Sequence, residues 1–480
     1  MEREDLLGLV EEVQTYRCET QTVEVKAAQQ GCPTRLFDTL SAFSNQDSGG
    51  VLLFGLDEKQ NFQLTGVYDS QDLQHRVAEQ CKQMEPFVRP LFTVCDIGGK
   101  AVVSAEIPGV DVTQRPVYYT GKGRIKGSFV RVGEADEPMS DYEIYSYDAY
   151  HRRVRDDIRL AELADLSQLD TDLLAEYIAA AKKNKKNAAK LTDDELLALM
   201  GIVRDGKPTL AGVLCFSKYP QAVFPQLCVT AVVVPGTQMG NTGAQGERFL
   251  DNRRIEGTIQ EMLEDAILFV ERNMREKTII DETGKRNDKT EYPVAAIREA
   301  ILNALMHRDY SIYTEGTPVR IIMYSDRIEI INEGGLYGRL TIDSLGQVRA
   351  DTRNQVLANI LEVLKVAENR YSGIPTIRAE MEAYRLPEPI FENRRGCFVV
   401  TLKNGTNTQI KQNTSSQKES ELLLFCTTPR SREEIAAFLG LTQYYAMSNV
   451  VAPLLEARRL HMTIPEKPKS RNQMYFAPGN

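Results

Sequence analysis

The sequence predicts an α+β multidomain chain, and three observations carry the prediction. With 480 residues and 42% hydrophobic content, it has material for several cores, and about three domains is the prior for this length. Short alternating or wholly apolar runs with strand character are interspersed with longer segments of helical period. A polar tract at 404–420, rich in Asn, Thr, Gln and Ser, then separates a compact C-terminal segment from the rest.

Composition excludes several classes. The eight cysteines form no CxxC pair, and with four scattered histidines they give neither a zinc pattern nor a disulfide framework. The N-terminus Met-Glu-Arg-Glu-Asp is acidic and lacks a signal-type apolar core. No apolar run approaches the roughly 20 residues that span a bilayer. A cytoplasmic protein without a membrane partner is expected. The net charge of −9 leaves no general nucleic-acid footprint, so any such contact must be local.

Taken in order, Asp5–Gln14 places Leu6, Leu7, Val10 and Val13 on one helical face. Cys18–Lys26 alternates as a strand, with Val23 and Val25 facing one way and Glu24 and Lys26 the other. A helix ending in Leu40-Ser-Ala-Phe43-Ser-Asn45 precedes a turn, a buried strand and an exit over Asp47–Asp57. Lys122–Arg131 is basic: it would supply phosphate contacts, or form a charged hairpin edge that resists aggregation.

The span 151–290 reads as a small connecting α/β unit. Thr171–Lys190 is helical with Asp170 as its cap, and the run Lys182–Lys186 is a solvated face. Leu191–Gly201 holds a short helix opened by Thr192, with Glu195 at capping-box spacing. Leu210–Phe216 and Leu227–Val234 read as strands, Arg253–Glu276 as a long amphipathic helix, and Asp281–Lys289 as a polar loop.

The most informative segment is Glu299-Ala-Ile-Leu-Asn303-Ala-Leu-Met-His307-Arg-Asp309-Tyr310. On a helix, Glu299, Asn303 and His307 stand at i, i+4 and i+8 and share one face. Ile301, Leu302, Leu305 and Met306 form an apolar stripe behind them. A carboxylate, an amide and an imidazole in line are arranged to hold a ligand; the alternative is a polar solvent face. An amide oxygen suits Mg²⁺, which takes few protein ligands, and a carboxylate one turn away suits a general base. Val319–Met323 and Arg327–Ile331 then read as two strands around a tight turn, leading into Asn332-Glu-Gly334-Gly335-Leu336.

After the 405–420 linker, Ser431-Arg-Glu-Glu434 is a capping box opening a helix that stops at Gly440, and Thr442 caps the next. This is helix-turn-helix spacing, with a recognition helix over Gln443–Ala457 and a wing from Leu460–Ile464 and Met474–Phe476. A DNA reader would direct Gln443, Tyr444, Tyr445, Ser448 and Asn449 to base edges, and Arg430, Arg458, Lys469 and Arg471 to phosphates. Pro453 inside the presumed recognition helix keeps a protein-interaction role open.

These motifs resemble known families. The pattern E-x4-E-x-K followed by SAFSNQDSGGVLLFGLD resembles the Schlafen-type AlbA_2 domain, which implies a nucleic-acid-binding α/β module over 1–150. In vertebrate Schlafen nucleases three carboxylates of this pattern support RNA cleavage. They correspond here to Glu19, Glu24 and Asp57, as metal holders and catalytic groups, with Lys26 neutralising developing charge. The alternative is a solvated strand face, with Asp57 opening a turn. Glu299…Asn303-Ala resembles the N-box of the gyrase, histidine-kinase and MutL superfamily of ATPases. The longer REAILNALMHRDY resembles the ATPase-like domain of a bacterial family of transcriptional regulators that ends in a winged helix.

The resemblance implies a Bergerat-like α/β sandwich over 291–404 that binds ATP and Mg²⁺, with Asn303 as Mg²⁺ ligand and Glu299 polarising the attacking water. His307, Gly334, Gly335 and Gly373 would line that nucleotide site. Asn332 stands where the superfamily has the Asp that reads the adenine amino group, and the second phosphate loop is reduced to Tyr371-Ser372-Gly373-Ile374. Residues 421–480 would form a winged helix-turn-helix. The expected function is a nucleotide-responsive, DNA-binding transcriptional regulator acting as a homo-oligomer. The alternatives are a metal-dependent Schlafen-type endoribonuclease acting on RNA, and a degenerate ATPase fold that only scaffolds a dimer.

Overall fold

The computed structural model describes residues 1–243, 245–280, 286–348, 351–367, 373–394, 396–405, 422–439, 447–451, 454–455, 459–463 and 473–477, without the side chains of 277–280, 286–288 and 448–449. It divides into two units, Met1–Leu402 and Lys403–Asn480.

The first unit begins with a four-stranded sheet in the order Val23–Lys26, Gly50–Phe54, Lys100–Ile107, Leu91–Ile97. The first pair is parallel and the other two antiparallel. The alternation in Val23–Lys26 decides what each face covers. Val23 and Val25 pack with Leu6, Val10 and Val13 of the helix Arg3–Tyr16. Leu52 and Phe54 pack instead with the helices Phe37–Ser44 and Ser70–Cys81. The Asn of the SAFSN motif is structural. Asn45 donates to the carbonyls of Val117 and Phe129 at 2.9 and 3.1 Å and accepts from Val117 N–H at 2.7 Å. Gly50 is required because a Cβ there would lie 2.4 Å from the Phe43 ring.

A second sheet, of six strands, runs in the order Asp251–Ile255, Val229–Val233, Val319–Met323, Arg327–Glu333, Cys397–Lys403, Ile390–Arg394. It draws strands from both sides of residue 290, so the segment read as a connecting unit supplies part of it. Val229–Val233 pairs in parallel with Val319–Met323, while Val229–Val233 with Asp251–Ile255, Val319–Met323 with Arg327–Glu333, and Cys397–Lys403 with Ile390–Arg394 pair antiparallel. The helices Ile259–Asn273, Val294–His307, Gln355–Val363 and Gly373–Ala383 share one large core with this sheet.

Four readings of the sequence are corrected. Leu210–Phe216 is a helix rather than a strand, started by the Thr209 hydroxyl accepting from Gly212 N–H. All seven of its residues are buried, so its sequence carries no period to separate the two states. Arg253–Glu276 is not one helix: Gly257 at φ +121° and a Thr258–Glu261 capping box divide a strand from the helix Ile259–Asn273. The polar loop at 281–289 is a hairpin of Glu276–Ile280 and Arg286–Thr290, with 281–285 outside the described residues. Lys122–Arg131 opens with a short helix, Gly123–Gly127, and only its end is a hairpin strand, Phe129–Val132 paired with Ala135–Pro138, in which Arg131 is buried.

In the second unit, Ser431 N–H donates to Glu434 Oε2 at 2.8 Å and Glu434 N–H to Ser431 Oγ at 3.2 Å, opening the helix Arg432–Leu439. Arg430–Ser431, Met474–Phe476 and His461–Met462 form a three-stranded antiparallel sheet in that order. Leu422, Cys426, Ile435, Leu460 and Tyr475 lie in its core. No helix among the described residues is long and apolar enough to cross a membrane.

Candidate functional site

The helix Val294–His307 turns Ile297, Ile301, Leu302 and Leu305 into the core, and its other face lines a groove with two adjoining chambers. The outer chamber, about 590 Å³, is lined by Glu299, Asn303, Met306, His307, Thr352 and Gly373 among others. The inner one, about 130 Å³, is lined by Asn303, His307, Asn332, Gly334, Gly335, Tyr337 and Arg353, with Ala300, Ala304, Phe398 and Val400 as apolar wall. Asn303, His307 and Asp351 belong to both.

The sequence motif can be read residue by residue. Asn303 Nδ2 is buried without a hydrogen-bond partner. A Cβ on Gly373 would sit 2.9 Å from that nitrogen and 3.4 Å from Glu299 Oε2, so the glycine keeps this room open. An unfilled N–H donor facing a space that only glycine leaves free fits a bound ligand that brings an acceptor. The His307 ring lies 3.4 Å from the Thr352 hydroxyl through Nδ1. Burial, with the Arg353 charge, lowers its pKa to about 4, so it is neutral at physiological pH.

Arg308 is buried and donates to the carbonyls of Thr314 and Thr317 at 3.0 and 2.8 Å. Asp309, also buried, accepts from Ser311 N–H at 2.8 Å and from the Tyr142 hydroxyl at 2.9 Å, and pairs with Arg353 at 3.1 Å. Tyr310 closes the helix end by donating to the Leu305 carbonyl at 2.6 Å. Asn354 donates to the carbonyls of Met306 and Arg308, satisfying the last turn.

At the inner end, Asn332 Nδ2 donates to the Glu333 carbonyl at 3.2 Å, which leaves the amide oxygen as its free acceptor. Gly334 has φ +89°, and a Cβ there would lie 2.1 Å from Arg353 Nη1. Gly335 is pressed against Asn393, whose side-chain oxygen accepts from Leu336 N–H. Glu299, Asn303, His307, Asn332, Gly334, Gly335 and Gly373 thus all border one groove. Tyr371 and Ser372 lie outside the described residues. Sequence reasoning missed Arg353, Tyr142 and Asp351. Asp309 was signalled only by its place in the motif, and nothing local marks the other three.

The N-terminal carboxylates are differently arranged. Arg131, with 1% of its side chain exposed, pairs with Glu24 at 2.8 Å, Asp136 at 3.0 Å and Glu19 at 3.8 Å, and Lys26 also pairs with Glu24. Burial, reinforced by Glu24, lifts Glu19 to about 7 although it accepts from Val25 N–H. Against the cost of burial, Lys26 and Arg131 hold Glu24 below its usual range. Asp57 accepts from Lys59 N–H at 3.0 Å and Gln60 Nε2 at 2.7 Å, capping a 3₁₀ turn. Glu19 and Glu24 thus share Arg131, while Asp57 serves its own turn. No group of three His, Cys, Asp or Glu among the described residues is placed to hold a metal ion.

In the second unit Gln443, Tyr444, Tyr445 and Arg471 lie outside the described residues, as do the side chains of Ser448 and Asn449.

Comparison with known proteins gives three family matches. Residues 19–140 match the family described as "Schlafen, AlbA_2". Residues 316–402 match the family described as "Putative ATP-dependent DNA helicase recG C-terminal". Residues 148–230 match a "Domain of unknown function". The helix bearing Glu299 and Asn303 lies upstream of the second match. The chain is therefore a mixed α/β multidomain protein carrying an AlbA_2 domain and an ATPase-like domain of the RecG C-terminal type. No curated protein matches it. Among solved structures, the DIP2311 protein of Corynebacterium diphtheriae is 18% identical with a TM-score of 0.40, over 99% of this chain and 97% of that one. The N-terminal domain of a RecG-related protein from Nitrosomonas europaea is 26% identical with a TM-score of 0.23, over 28% of this chain and 93% of that one.

Proposed function

We propose that this chain is a nucleotide-responsive, DNA-binding transcriptional regulator whose central groove binds ATP with Mg²⁺. The observation that carries the reading is the unfilled Asn303 amide, standing between the two chambers and opposite Gly373. The apolar inner chamber suits a base, with the Asn332 amide oxygen accepting from an exocyclic amine. The outer chamber suits phosphates, and the Asn303 oxygen is a hard ligand of the kind Mg²⁺ takes alongside phosphate and water. Bound there, Mg²⁺ would neutralise phosphate charge. Glu299 stands one turn away, where it would take a proton from water if the nucleotide is hydrolysed. The six-stranded sheet with its covering helices supports the Bergerat-like assignment. The Ser431–Glu434 capping box and three-stranded sheet support a winged helix, with Gln443, Tyr444, Tyr445, Ser448, Asn449 and Arg471 as its DNA readers.

The test is calorimetric titration of ATP, with and without Mg²⁺, into the wild-type chain and Asn303→Ala. Mg²⁺-dependent binding lost in the variant supports the reading, and DNA affinity with and without ATP is then the next measurement. No heat at saturating ATP would sink it. The endoribonuclease alternative gains no support from the arginine-neutralised carboxylates; Glu24→Ala with unchanged RNA cleavage by the chain would close it.

A further inference from the structure

Among the described residues one cation borders the inner chamber, and it belongs to no motif. Arg353 has 8% of its side chain exposed and lines both the inner chamber and the cleft beside it, but not the outer chamber. Its fork is poorly satisfied. Nη1 lies 3.1 Å from Asp309 Oδ2 yet makes no hydrogen bond, and Nη2 reaches the Gly335 carbonyl only at 3.4 Å. The guanidinium carbon stands 5.1 Å from the Tyr337 ring centre. A planar group of five donors, buried against apolar wall and short of acceptors, is prepared for a flat ligand that brings its own. Purine ring nitrogens are such acceptors. Phosphates are not the match, because the chamber that holds Glu299, Asn303 and Gly373 does not include Arg353.

What aims the fork is Asp309. One carboxylate oxygen is bound to Ser311 N–H, and the other is shared between Arg353 and the Tyr142 hydroxyl. Tyr142 lies on the helix Asp141–His151, whose Tyr150 also donates to Asp351 at 3.1 Å, a second residue lining the inner chamber. We propose that Arg353 contacts the base of a nucleotide bound in this groove, and that Tyr142, acting through Asp309, is its positioning residue. This rests on the nucleotide-binding reading and adds the residues that hold the base end.

The experiment measures affinity of the full chain for ATP, and displacement of ATP by inorganic tripolyphosphate, which has no base. The variants are Arg353→Met, Arg353→Lys, Tyr142→Phe and the Met/Phe double. Arg353→Met should weaken ATP about tenfold, the scale of a charge-assisted hydrogen bond, while leaving tripolyphosphate unchanged. Arg353→Lys keeps a charge beside Asp309 and so guards the fold, but it should still lose most of the ATP affinity because the planar fork is gone. Tyr142→Phe should weaken ATP about threefold in the wild-type background and not at all beside Arg353→Met, the non-additivity expected of residues acting in series. Equal losses for ATP and tripolyphosphate, additive effects, or undiminished ATP binding in both Arg353 variants would overturn the assignment while leaving the nucleotide site standing. A wild-type chain that binds neither ligand would overturn both.

Discussion

The carboxylate of Asp157 accepts the backbone N–H of Val356 at 2.7 Å, and that of Leu357 at 3.2 Å, from about two hundred positions away in sequence. It thereby caps the helix Gln355–Val363, whose own N-cap residue, Asn354, makes no side-chain cap bond. Asp157→Ala should cost about 1–2 kcal/mol of unfolding free energy, the range of a lost cap. Urea denaturation of the two proteins checks it. A change inside error would mean that water or a neighbour replaces the carboxylate.

Gly373→Ala is expected to act on the ligand and not on the fold. Its methyl would stand 2.9 Å from Asn303 Nδ2, while alanine at a helix start favours the helix. Nucleotide affinity should fall about tenfold, equivalent to ~1.4 kcal/mol, with the melting temperature held or raised. Calorimetry and thermal denaturation on the same samples separate the two effects.

Glu19 gives a pH signature. Its folded pKa of about 7 lies above the ordinary 4.5, so the folded chain holds a proton that the unfolded chain releases. The stability this contributes is full below pH 4.5 and disappears as pH rises through 7. Melting temperatures of wild type minus Glu19→Gln should therefore decline across pH 4.5–7 and level off above it. A flat difference would mean that the carboxyl is ionised throughout, beside Arg131.

His307 gives the opposite slope. Held neutral down to about 4 against an ordinary 6.5, it refuses a proton that the unfolded chain accepts, so stability is lost as pH falls from 6.5 towards 4. Wild type should lose ground against His307→Gln over that interval. Nucleotide affinity, read on the wild type, should show no step near pH 6.5; a step there would place a protonated imidazole in the groove.

What the sequence made legible was whatever is local. The face of Glu299, Asn303 and His307 follows from helical spacing, the Ser431–Glu434 box from its own four residues, and the core against Val23 and Val25 from strict alternation. Leu210–Phe216 was misread because seven buried residues in a row have no polar face to reveal a period. Arg131 was misread because a basic residue in a basic run gives no sign that three carboxylates lie above it. Arg353, Tyr142 and Asp157 were invisible for one shared reason: their partners are Asp309 and the Val356 backbone, and that proximity exists only once the chain has folded.

The six-stranded sheet limits how this protein can be divided. Val319–Met323 is an interior strand whose neighbour, Val229–Val233, comes from before the span that matches the RecG-type family. A truncated product or recombinant beginning near residue 316 would open with the run Val-Arg-Ile-Ile-Met and leave its backbone N–H and C=O groups unpaired along one side. Such an edge recruits another copy of itself. A gene fragment drawn to the family boundary should therefore yield aggregates rather than a smaller working part, and one that begins ahead of Val229 should not.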